Sequence, residues 1–213
     1  MRTFMGQKLG ARSALAVVGL WLIAGCSWGT SPVHYYALES GSRPATAPTV
    51  EPGRGPTIGV GPITLPRYLE RIHIVTRRDA ELEVAEYDRW GEPLSASLPR
   101  AIATDLATLL GTDRIVMFPW SVSTTIDQQI VVDVLRFEGT SGGDVVLEAR
   151  WRVLGQDRQE EVLRYSLVRE AVGASGYPAI VAAMNRSVGK LSREIADAVK
   201  RLRASRARRG LPS

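Results

Sequence analysis

Val145–Leu154, VVLEARWRVL, decides how this chain is read. Val145, Leu147, Ala149, Trp151 and Val153 alternate with Val146, Glu148, Arg150, Arg152 and Leu154. One face is apolar and the other mostly charged, which is what an antiparallel strand with one buried face requires. Gln128–Phe137 precedes it and Val162–Val168 follows it, both rich in β-branched and aromatic residues. The links Gly139–Gly143 and Gly155–Gln159 are of hairpin length and turn-rich. Together they predict a carboxy-terminal three-strand meander.

Helical periods flank the meander. Downstream, Met184, Val188, Leu191, Ile195, Val199 and Leu202 step by three and four residues. They predict a long helix from near Pro178 whose apolar stripe packs on the sheet. Basic residues crowd the end of that helix, where its dipole favours them. Upstream, Leu94, Leu98, Ile102, Leu106 and Leu109–Leu110 predict a second helix that Gly111 stops. Pro99 interrupts this period, so either Ser97 caps a shorter helix or the first turn is bent. Ile58–Ile63, Ile72–Thr76, Leu82–Tyr87 and Ile115–Phe118 read as short strands, the middle two as a hairpin. The fold class expected is α+β, a mixed or antiparallel sheet packed by two main helices.

The amino-terminal segment reads differently. Arg2, Lys8 and Arg12 precede Ala14–Ile23, an apolar run of secretory length and too short to span a bilayer. Leu22-Ile23-Ala24-Gly25-Cys26 then resembles the bacterial lipobox, and Cys26 is the only cysteine of the chain. Lipidation would account for an unpaired thiol in an exported protein, and a lone cysteine excludes an internal disulfide. The expected organisation is a lipoprotein signal peptide at 1–25, then a lipidated amino terminus with a short strand and a Pro/Gly-rich loop at 26–56. A single α+β periplasmic domain at 57–204 and a basic tail at 205–213 follow. Tyr35–Leu38 is expected to join the sheet, since a tyrosine pair has little reason to sit in solvent. Ser27, rather than Asp, follows the cysteine. By resemblance to lipoproteins of double-membrane bacteria, that favours the outer membrane.

Charge and missing motifs narrow the function. The sequence pI is about 9.7, yet the body between Cys26 and Gly189 holds 16 basic residues against 20 acidic ones. The excess of positive charge lies at and after Lys190, so no basic body exists to follow a nucleic-acid backbone. His34 and His73 are the only histidines, and no zinc-ligand spacing, phosphate loop or nucleophile elbow occurs. No catalytic residues, metal site or cofactor are expected beyond the lipid on Cys26. Glu86 with Asp88 and Glu160 with Glu161 read as solvated faces. The basic tail from Lys200 to Arg209 suits either anionic headgroups or plain solvent.

Several stretches in order resemble one family. Gly61-Pro62-Ile63-Thr64-Leu65-Pro66-Arg67-Tyr68-Leu69-Glu70-Arg71, followed by Ile74-Val75-Thr76-Arg77, is similar to the opening of the auxiliary lipoproteins of ABC-type transport systems, the paraquat-inducible protein C family. Asp88-Arg89-Trp90-Gly91-Glu92-Pro93-Leu94, then Leu106 through Gly111, is similar to its next signature, ahead of Pro119-Trp120. Tyr35-Tyr36-x-Leu38 shortly after the cysteine is also characteristic, and Asp105 stands where relatives often have Asn. The resemblance implies a non-enzymatic component that works beside an inner-membrane transport protein and a periplasmic protein of the mammalian-cell-entry (MCE) type, which carries lipid. This chain would be its outer-membrane end. A stand-alone lipid-binding or envelope-maintenance lipoprotein is the alternative, and direct contact with lipid and a homo-oligomer are both left open.

Leu65, Tyr68 and Leu69 are the candidate partner contacts, because prolines hold three large apolar groups on an extended stretch. Core packing is the competing role for Tyr68 and Leu69. Trp90 beside Pro93 is expected to lean on the first helix.

Overall fold

The computed structural model describes residues 32–40, 55–140 and 143–209. Cys26 and the leader lie outside the described residues, as does most of the Pro/Gly-rich loop.

The meander forms as its alternation predicts. Strands β6 (Gln128–Thr140), β7 (Asp144–Leu154) and β8 (Glu160–Ala171) pair antiparallel, with Val132 opposite Trp151 and Ala149 opposite Ser166. Each strand runs past its predicted bounds, over Glu138–Thr140 in β6, Asp144 in β7, and Glu160–Glu161 with Arg169–Ala171 in β8. Val145, Leu147, Ala149, Trp151 and Val153 are all buried.

The other edge of β6 is shared by two strands in file. β2 (Ile58–Thr64) runs parallel to its first half, and β3 (His73–Arg78) reaches its far end at Gly139 and Thr140. β5 (Ile115–Met117) flanks β2 in parallel, and β4 (Glu81–Trp90) forms a hairpin with β3 around Asp79 and Ala80. β1 (His34–Tyr36) adds a parallel edge to β4 and completes an eight-stranded sheet. The residues between β2 and β3 are thus an excursion from a nearly continuous line of strand. Of the expected tyrosine pair, Tyr36 is partly buried while Tyr35 stays 65% exposed, because a three-residue edge strand covers only one of its faces.

Both helices cover one face. α1 (Leu94–Leu110) packs against β2, β5 and α2 (Tyr177–Arg208), and α2 lies across β6, β7 and β8. Gly111 ends α1 in the left-handed region with φ of 61°, as the helix stop required. Ser97 does not cap a shorter helix. The helix begins at Leu94, and the Ser97 hydroxyl instead bonds the Pro93 carbonyl at 3.4 Å. Pro99 sits inside it, where its missing N–H removes the usual i→i−4 bond to the Ser95 carbonyl. On α2, Met184, Val188, Leu191, Ile195 and Val199 are at most 1% exposed, so their stripe is core. Trp90 is buried in the same cluster as Leu94 and Leu98.

Candidate docking face

The sheet face opposite the helices carries the candidate site. Its first part is the excursion Leu65–Glu70, which holds the 3-10 turn Arg67–Leu69. A register shift between Val134 and Arg136 reverses the alternation of β6. Phe137 therefore stays in the core, and Glu138 turns to the opposite face beneath the excursion. The side chain of Glu138 is fully buried, and both its carboxylate oxygens accept hydrogen bonds. Tyr68 donates its hydroxyl to Oε2 at 2.5 Å, as does the Phe137 N–H at 3.1 Å. Arg77 and Arg136 donate Nε–H to Oε1 at 2.6 and 3.1 Å.

Burial alone would raise the pKa of Glu138. The bonds from Tyr68, Arg77 and Arg136 outweigh it and hold the carboxyl below its ordinary value. Burial and the acceptor Glu138 push the Tyr68 phenol up to about 12, so it remains a donor. Arg77 also lies over the Tyr68 ring, 5.8 Å from its centroid. These contacts fasten the turn to the sheet at one carboxylate.

The three apolar candidates are therefore divided. Leu69 is 2% exposed and belongs to the core, so it offers no free surface. Leu65 and Tyr68 are partly buried against that core, and the Tyr68 hydroxyl is committed to Glu138. What the turn presents to solvent is Arg67, Glu70, Arg71 and Ile72. Gly61, at the start of the same stretch, adopts φ of 119°, and a Cβ there would lie 2.7 Å from Phe118 Cβ.

The second part lies on β6–β8. Two cross-strand rows run over the open face, Val131–Arg152–Leu163 and Asp133–Arg150–Tyr165. They line a groove of about 380 Å³ together with Glu160 and Arg164. Leu163, Tyr165 and Leu167 are each about half exposed. Tyr165 donates to Glu148 at 2.7 Å, and Asp133 accepts from the Thr64 hydroxyl.

Other residues singled out earlier have ordinary surroundings. Asp88 accepts the Tyr36 hydroxyl at 2.7 Å, which with burial pushes that phenol up to about 12. Glu86 is exposed, and Glu161 pairs with Arg206 of α2. His34 and His73 lie on different strands, and among the described residues no cluster of three metal-ligating side chains forms. Asp105 is fully buried in α1 and accepts from Ser40, which ties the segment after β1 to that helix. Among the described residues no helix is long and apolar enough to cross a membrane.

The sequence profile described as "ABC-type transport auxiliary lipoprotein component" matches residues 36–196, from β1 into α2. The chain belongs to that family. Both signatures of this auxiliary lipoprotein and its whole sheet except the first two residues of β1 fall inside the match. No curated protein matches the sequence. Among solved structures, an uncharacterised protein superposes with a TM-score of 0.65 at 20% identity, covering 79% of this chain and 99% of its own. Protein XCC0632 from Xanthomonas campestris superposes at 0.61 and 18% identity, covering 76% and 91%. At these identities the likeness is one of fold. The α+β architecture of the auxiliary lipoprotein is therefore a recurring one.

Proposed function

We propose that this chain is a non-catalytic adaptor, anchored through lipid on Cys26 to the periplasmic side of the outer membrane. In this reading it receives a periplasmic MCE-type protein that works with an inner-membrane component of an ABC-type system. The observation that carries the reading is the family match over 36–196, because it spans the fastened turn as well as the core. The structure supplies support of a second kind. A sheet open on one face, with a turn held rigidly above it, suits recognition of a folded partner better than it suits bond chemistry. Leu65 and Tyr68 contribute their exposed edges to that contact, with Arg67, Glu70 and Arg71 around them.

Anchoring is the part most directly tested. Several acyl chains, each adding about 0.8 kcal/mol per buried methylene, hold a protein at a bilayer without a spanning helix. The lipidated protein is expected in the outer-membrane fraction after density separation, and Cys26→Ser in the soluble periplasm. Recovery of the wild-type protein with the inner membrane would contradict the outer-membrane assignment.

A further inference from the structure

Arg150 and Arg152 occupy successive positions on the open face of β7, and both are exposed. Neither has an ion pair or hydrogen bond among the described residues, although the body as a whole is slightly acidic. Other cations of the fold are engaged elsewhere. Arg77 and Arg136 hold Glu138, and Arg186 and Lys190 hold Glu170. Residues two apart on one strand face stand about 7 Å apart. Two guanidinium groups at that spacing converge on a single tetrahedral anion, to which each can donate a fork of N–H groups.

What flanks the pair defines the rest of the ligand. Leu163 stands opposite Arg152, Tyr165 opposite Arg150, and Leu167 follows on the same face of β8. These three large apolar groups are exposed, and Val131 lies on the other side of Arg152. Asp133 and Glu160 share the groove with Arg150, Arg152 and Arg164, and Glu148, which accepts from Tyr165, stands opposite Leu167. A small free anion would use the arginines and leave the apolar row idle. An amphiphile with one negative charge uses both.

We propose that this groove binds the phosphodiester of a glycerophospholipid between Arg150 and Arg152, with the acyl region lying over Leu163, Tyr165 and Leu167. The inference deepens the transport reading and rests on it for the source of the lipid. An acidic protein segment is less well matched, because it would not cover the apolar row.

The test uses the full-length lipidated protein in detergent micelles, with a photoactivatable diacyl phosphatidylglycerol as probe. Labelling is expected on peptides from β7 and β8. It should fall at least about tenfold in the double variant Arg150→Gln/Arg152→Gln, given the strength of charge-assisted bonds. Inorganic phosphate in millimolar excess should leave labelling unchanged, as should a diacylglycerol competitor lacking phosphate. Equal labelling of the double variant with an unchanged melting temperature would overturn the proposal. So would full competition by inorganic phosphate, which would mark a soluble-anion site, or by an acidic peptide, which would mark a protein site. Leu163→Gln alone keeps both arginines and should also lose labelling, which separates the lipid site from simple charge. Capture of the periplasmic partner by the double variant is followed in parallel. Retained capture with unchanged labelling would sink the lipid site and spare the adaptor reading.

Discussion

At the scale of single residues, Glu138 is the most consequential side chain on the open face. It is a buried carboxylate with two arginines, a phenol and a backbone N–H as donors, so removing its charge strands the arginines. Glu138→Gln is expected to cost about 3 kcal/mol in chemical denaturation. Its carboxyl is held below the unfolded value, so the stabilisation is complete above the ordinary glutamate range. It is lost as pH falls through the lower folded value. The wild-type protein should therefore lose stability on acidification more steeply than Glu138→Gln. Parallel acid limbs in the two proteins would contradict that. The sequence does not disclose this group, because Arg77 and Tyr68 stand 61 and 70 positions away and the apolar run of β6 stops one residue short of it. A second prediction concerns Gln128, which is 1% exposed and accepts from Arg203 Nε at 3.1 Å. Gln128 Nε2 and Arg203 Nη2 are buried and find no acceptor among the described residues. Gln128→Glu would give the guanidinium fork a second oxygen, and the melting temperature is expected to rise by about 2–4 °C.

At the scale of elements, apolar period carried most of the reading. The meander and both helix stripes were legible because each buries one face, and burial imposes a period that survives any tertiary detail. Strand ends were not, since β8 extends over Glu160, Glu161 and Arg169–Ala171, where ion pairs from α2 to Glu161 and Glu170 join the backbone ladder. The excursion between β2 and β3 was equally opaque. Its composition shows that prolines extend it, whereas the burial of Leu69 depends on β2 and β3 sharing one edge of β6. Leu69→Ala is accordingly expected to cost about 2–5 kcal/mol, the range for a buried leucine, without being a selective loss of partner binding. Tyr68→Phe keeps the ring and removes one bond to Glu138, so it should cost about 1–3 kcal/mol. Thermal melts of the two variants give the order directly. On α1, Pro99 remained in a helix interior against local preference. The packing of Leu94, Leu98, Ile102 and Leu106, all at most 1% exposed, holds that turn in place.

At the scale of the whole molecule, the account joins a lipid anchor, a helix-backed sheet and an open face with a fastened turn. The anchor is proposed from local chemistry alone, a short apolar run ending in small residues and one cysteine, all outside the described residues. The open face was legible only as half of an alternation. Its use depends on which rows of Arg150, Arg152, Leu163 and Tyr165 the register brings together. Reversing the exposed charges of the turn with Arg67→Glu/Arg71→Glu is expected to leave the melting temperature within about 1 °C, as surface changes do, and to reduce partner recovery. Full recovery would move the contact away from the turn.

The most direct measurement is crosslinking in intact cells, followed by capture of a carboxy-terminally tagged copy and identification of what comes with it, with Cys26→Ser alongside. The account predicts recovery of an MCE-type periplasmic protein with the wild-type copy, and loss or clear reduction with the unlipidated one. Abundant outer-membrane protein that captures no envelope partner would contradict the adaptor.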